Sequence, residues 1–132
     1  MPSPSQIIGA AQEAHAERAL VAAGYRIIAR NWRGSGGEID RIAWDGEVLV
    51  FVEIRARSTS AHGEPSETVR FPKRRRLIRA AIAYLARLPE PRLPTCRFDV
   101  VSIVGHEAPR VQIIPDAFDS GERTGSRTGP ML

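Results

Sequence analysis

A single α/β domain, with a mixed sheet flanked by helices, is predicted by three features of the chain. An alanine-rich, proline-free stretch precedes the first strand, two strand-like runs are joined by Asp45-Gly46, and a second helical stretch leads into two further strands. Alternation of helical and strand-like segments on this scale gives layered α/β architectures. The 132 residues suit one core, which commonly holds about 100 to 150.

The first helix is expected over residues 5–23, with Gly24 as its stop. Its apolar stripe runs through Ile8, Ala16, Ala19, Leu20 and Ala23, and Glu13 lies at the border of that stripe. A short β-type run follows at 25–29, then Arg30-Asn31-Trp32-Arg33 and a flexible glycine segment, 34–37. Residues 38–44 and 47–55 read as a hairpin turning at Asp45-Gly46. The second of these runs is apolar on both faces, as a central strand should be.

A polar connection over 57–71 leads to Pro72, which opens a helix reaching residue 88. Leu77, Ile78, Ala81, Ile82, Leu85 and Leu88 form its buried stripe, with Arg75, Arg76, Arg79 and Arg87 opposite. Pro89, Pro91 and Pro94 end it, strands follow at 98–104 and 111–114, and Asp99 at the start of an apolar strand reads as structural. The Gly-, Ser- and Arg-rich tail, 119–132, has little to bury and is expected to be disordered.

No stretch approaches the roughly 20 apolar residues of a membrane span. The opening residues lack the basic and apolar regions of a secretory signal, and the lone Cys96 forms neither an internal disulfide nor a cysteine-cluster zinc site. A reducing cytoplasm is the expected location. Net charge is +4, and only one of 19 basic residues, Lys73, is a lysine. Arginine forks pair with phosphate, so a polyanion such as DNA or RNA is the expected partner, against the simpler alternative of an overall preference for arginine. Lys73, Arg74, Arg75, Arg76 and Arg79 crowd the first turns of the second helix, and Arg30 and Arg33 flank the glycine segment beside Trp32. Gly34-Ser35-Gly36-Gly37 lacks the Lys-Ser/Thr of a phosphate loop, and His15, His62 and His106 have no ligand spacing.

A turn at Asp45-Gly46 places Asp40 across from Phe51 and Glu38 across from Glu53, so that Glu38, Asp40, Glu53 and Arg55 share a face. Asp40 and Glu53 are then diagonal neighbours about 7 Å apart, within reach of one divalent cation. The alternative is a structural set of acids paired with Arg55 or Arg57.

Gly24-Tyr25, Arg30-Asn31, Gly37-Glu38-Ile39-Asp40, Leu49-Val50-Phe51-Val52-Glu53, Lys73 with Leu77, Tyr84-Leu85 and Arg97-Phe98-Asp99-Val100-Val101 occur in order. This pattern, spanning about residues 13–103, resembles the YraN-like family of uncharacterised proteins. That family is similar to the PD-(D/E)xK nucleases, particularly the Holliday-junction-resolvase type. The resemblance implies a restriction-endonuclease-like core over residues 1–118 and phosphodiester cleavage, branched DNA included, dependent on Mg²⁺ or Mn²⁺. It implies Asp40 as the motif aspartate, Glu53 as the second acid and Glu13 as an acid from the first helix, these three holding the metal. Position 55 takes the place of the motif lysine, and here the chain departs from the pattern with Arg55. Arginine supplies charge but sheds no proton, so Arg55 would contact the phosphate without acting as a base. Lys73 is the remaining lysine, and spacing alone does not say where it reaches. Arg41, where the pattern is apolar, should point away from Asp40. Three readings follow: a metal-dependent endonuclease, a nucleic-acid-binding relative that does not cut, and a protein-interaction module with a structural acid cluster.

Overall fold

The computed structural model describes residues 4–57, 71–89, 93–105 and 107–118. The expected tail at 119–132, most of the connection at 57–71, His62 and His106 lie outside the described residues. The elements run α1 (Pro4–Ala22), β1 (Arg26–Gly34), β2 (Gly37–Asp45), β3 (Val48–Arg57), α2 (Phe71–Leu85), β4 (Cys96–Val104) and β5 (Arg110–Phe118). The strands form one sheet in sequential order. β1–β2–β3 is an antiparallel meander, β4 lies parallel to β3 after the α2 crossover, and β5 returns antiparallel. The mixed sheet flanked by helices is therefore the one expected.

The two helices cover opposite faces. Ala16 and Leu20 of α1 pack on Tyr25, Ala43, Val50, Val52, Val101 and Ile103. Leu77, Ala80, Ala81 and Leu85 of α2 pack on Ile39, Ile42, Leu49, Phe51, Phe98 and Val100. Phe51 is central to the second layer, with its ring 5.6 Å from Phe98 and 6.1 Å from Tyr84. The unbroken apolar run of β3 follows from this double cover: residues 49–53 are all buried, alternately toward each helix. One stripe residue of α2 departs from expectation, since Ile82 is 49 % exposed.

Three local expectations are corrected. β1 is not a five-residue run, because it continues through Arg30, Trp32 and Arg33 to Gly34, with Trp32 paired to Ile39. The glycine segment is a tight hairpin in which Gly34 faces Gly37 across Ser35 (φ 53°) and Gly36 (φ 78°). Two successive positive φ values mark the turn type that suits the twist of flanking strands. The β2–β3 turn consists of Gly46-Glu47, with Asp45 paired to Val48 and only Gly46 (φ 61°) left-handed. Glycine at the first central position is a hairpin preference of its own.

That turn moves the register by two residues. Phe51 faces Ile42 instead of Asp40, and the ladder ends at Arg41 opposite Val52. Because side chains alternate with period two, a two-residue shift preserves which face each residue occupies. The reach of β5 also exceeds expectation. A bulge carries it past Pro115, with Asp116 at φ 54° and its N–H donated to Asp99 Oδ1 at 2.9 Å. Proline is tolerated there because β5 is an edge strand.

Candidate functional site

The carboxylates of Asp40 and Glu53 meet where β2 and β3 part. Beyond Val52 the backbone of β3 loses its β2 ladder, and Ile54 N–H donates instead to Asp40 Oδ2 at 2.8 Å. The same opening brings the Asp40 carboxyl under the influence of Glu53. Burial, then the charge of Glu53, pushes Asp40 up to about 7. Glu53 is 5 % exposed at its side chain, and its Oε2 lies 3.1 Å from Lys73 Nζ. Lys73 is the third residue of α2, so the helix start delivers the chain's one lysine onto the second acid. Arg55, two residues further along β3, keeps to the face of Glu53 and sits half-buried opposite Ser102.

Glu13 is not brought to this pair. It lies on α1, across the sheet, with Oε1 3.3 Å from Arg41 Nη2. Among the described residues no group of three or more His, Cys, Asp or Glu is arranged to hold a metal. The physical reason is Arg41: its side chain is 5 % exposed and turned toward α1, so its charge must be met there. Glu17 meets it through Oε1 at 2.8 Å from Nε, with Glu13 as a second acid, while Arg41 Nη1 donates to the Asp40 carbonyl at 2.7 Å. Glu13 and Glu17, one helical turn apart, thus steady the main chain of Asp40 from behind. Glu17 was legible only as the second of two acids at i, i+4 spacing, a signal for a cation opposite.

Glu38 is likewise not across from Glu53, because it belongs to the β1–β2 hairpin and pairs with Arg33 at 3.7 Å. Of the expected nucleic-acid contacts, Arg30 is committed elsewhere: it makes two bonds to Glu17, at 2.9 and 2.6 Å. Those bonds, and Arg41, hold Glu17 down at about 2. Trp32 is a packing residue, edge-on to Tyr84 at 5.4 Å. Arg74 stacks over Phe118 at 5.4 Å, whereas Arg75, Arg76 and Arg79 lie on the exposed side of α2. Arg33, Lys73 and Arg76 line one cleft of about 540 Å³ between the hairpin and α2.

Asp99, fully buried, accepts from the Tyr25 hydroxyl at 2.6 Å and from Arg97 Nε at 2.8 Å, and Arg97 Nη2 also reaches Asp45 at 2.8 Å. Both Asp99 oxygens are thereby matched, and burial together with the bond to Asp99 pushes the Tyr25 hydroxyl well above its ordinary range. This network ties α1's exit to β4 and β5 and holds no open position.

The family model of uncharacterised protein family UPF0102 matches residues 12–103, a span that contains both acids, Lys73 and Asp99. The chain belongs to this family. A UPF0102 protein of Symbiobacterium thermophilum is 55 % identical over 100 residues, covering 75 % of this chain and 83 % of its own length. Relatives from Chlorobaculum tepidum (48 % over 99 residues, 75 % of this chain and 76 % of theirs) and Myxococcus xanthus (43 % over 121 residues, 91 % and 95 %) extend the match. The YraN-like motifs read from the sequence therefore mark a family relationship along most of the UPF0102 chain. No helix among its described residues is long and apolar enough to cross a membrane.

Proposed function

We propose that this UPF0102 protein is a nucleic-acid-binding protein whose Asp40 and Glu53 hold Mg²⁺ or Mn²⁺ for phosphodiester hydrolysis. The observation that carries the reading is the buried carboxyl pair of Asp40 and Glu53, with a lysine against it. Two adjacent buried acids are costly unless a cation compensates them. Mg²⁺ suits this donor set, since it takes one or two carboxylates and completes its shell with water and substrate phosphate. Glu13 is therefore dispensable as a ligand. Such an ion, when bound, polarises the phosphodiester and lowers the pKa of water.

The chain's own groups have separate tasks. Ile54 N–H fixes the Asp40 carboxylate, and Arg41 fixes its carbonyl. Lys73, 3.1 Å from Glu53, places an ammonium where it would give or hold a proton near the phosphate. Arg55 offers a permanent charge for the developing negative charge on phosphate oxygens. Similarity to the PD-(D/E)xK nucleases, a restriction-endonuclease-like core and a cytoplasmic location belong to this reading. DNA or RNA is the partner, with branched DNA among the substrates.

A second reading, binding without cleavage, is favoured by one observation: no third acid accompanies Asp40 and Glu53 among the described residues. Incubation with linear and branched DNA and with RNA, in Mg²⁺ or Mn²⁺, separates the two. Cleavage lost in Glu53→Ala supports hydrolysis. Salt-sensitive binding with no cleavage in any arm supports the second reading, and no binding at low salt removes both.

A further inference from the structure

The cleft beside the carboxylate pair has the charge, size and floor of a phosphate subsite. Its walls carry Arg33, Lys73 and Arg76 against a single acid, Glu38, so it is net positive. Arg33 is only loosely engaged, at 3.7 Å from Glu38 with its side chain 79 % exposed. Its floor includes Gly36, where main chain lies bare: nothing stands within 4 Å of where a Gly36 Cβ would sit. Glycine there lets a ligand approach the backbone closely. Gly37, by contrast, is glycine for packing, since a Cβ would strike the Arg76 carbonyl. The hairpin and α2 are thus pressed together at Gly37 and gape at Gly36. Lys73 belongs both to this cleft and to Glu53, so the two sites are contiguous.

We infer that this cleft, floored by Gly36 and Gly37 and walled by Arg33 and Arg76, binds a backbone phosphate of single-stranded nucleic acid next to the one presented to Asp40 and Glu53. The inference rests on the nucleic-acid reading above and adds to it a location and a strand form. A volume of about 540 Å³ is within the range of small-ligand clefts and accepts about one nucleotide unit, which a strand separated from its complement can insert. The cations supply affinity independent of base identity.

The test follows backbone amide resonances of the whole chain during titration with tetrathymidylate and, separately, tetrauridylate at low salt, without added metal. The expected result is a saturable shift at Gly36 and Gly37 with at least one of the two oligonucleotides. Affinity should fall about five-fold or more in Arg33→Ala/Arg76→Ala, and the salt dependence of binding should become shallower by about one unit for each phosphate no longer neutralised. Both side chains are exposed at the surface, and the same spectra report whether the variant keeps its fold. Saturable shifts confined to other residues, with affinity unchanged in the variant, overturn the subsite and leave nucleic-acid binding standing. No shift anywhere in the wild-type chain overturns both.

Discussion

Lys73 Nζ lies 3.1 Å from Glu53 Oε2, although the two residues belong to a helix and a strand separated by a long connection. This relationship supplies a lysine at the acid pair, where β3 itself carries Arg55 two residues after Glu53. In the metal-free protein it also neutralises an acid that has little access to water. Lys73→Met should therefore act twice. Stability should fall by about 1–2 kcal/mol, discounted because the ammonium is 41 % exposed. Cleavage should fall on the order of 10²-fold, read in a single-turnover assay, with Mn²⁺ affinity unchanged or higher. Retention of full cleavage would remove Lys73 from the chemistry.

Glu13 and Glu53 should separate cleanly in metal titration. Glu13 meets Arg41 on the α1 face, so Glu13→Gln is expected to leave Mn²⁺ affinity within about two-fold, while Glu53→Gln lowers it about ten-fold or more. Calorimetric titration of both variants decides the matter. Equal losses would return Glu13 to the ligand set.

The carboxyl pair predicts an unusual pH dependence in the metal-free chain. Asp40 is raised from 3.8 to about 7 by burial and by Glu53, so its neutral form is the one the fold favours. Its contribution is most favourable below pH 3.8 and is lost progressively as pH rises to about 7. Asp40→Asn, which keeps one oxygen for Ile54 N–H, should stabilise the metal-free chain at pH 8 by on the order of 1–2 kcal/mol relative to its effect at pH 5. Denaturant unfolding at the two pH values checks this. A difference of opposite sign contradicts the raised Asp40.

Glu17 behaves in the reverse sense. Bonds from Arg30, then Arg41, hold it near 2 instead of 4.5, so its stabilisation is complete above pH 4.5 and disappears as pH falls toward 2. Glu17→Ala should cost about 2–4 kcal/mol at neutral pH, because it leaves the nearly buried Arg41 with Glu13 alone. It should also flatten the loss of stability on acidification. An unchanged acid limb would show that other carboxylates govern it.

Gly37→Ala should destabilise the fold by about 1–3 kcal/mol, since the added methyl meets the rigid carbonyl of Arg76 in α2. Gly9→Ala, with open space at that Cβ, should be neutral or stabilising by comparison. Thermal unfolding of the pair gives the contrast.

Much of this arrangement could be read from the chain, and the parts that could not have physical reasons. The double-sided apolar run 48–54 announced a central strand, and the leucines and alanines of α2 announced its buried face, because burial leaves periodic traces. The length of β1 left none. Arg30, Asn31 and Arg33 are polar, and they become strand only because Trp32 finds Ile39 across the hairpin. The face shared by Asp40 and Glu53 was legible despite a misplaced turn, since the shift was even. An odd shift would have parted them. The task of Glu13 was hidden by a buried arginine: nothing local to Arg41 says that it turns toward α1 and claims two acids there. The arrival of Lys73 at Glu53 is a tertiary event, set by how α2 packs on Gly37.

The joint binding of a divalent ion by Asp40 and Glu53 is tested most directly by adding substoichiometric Mn²⁺ and recording paramagnetic broadening along the chain. Selective broadening around residues 40 and 53–54, abolished in Glu53→Gln, is the predicted result. Broadening centred elsewhere, or a pattern unaltered by that substitution, would contradict the account.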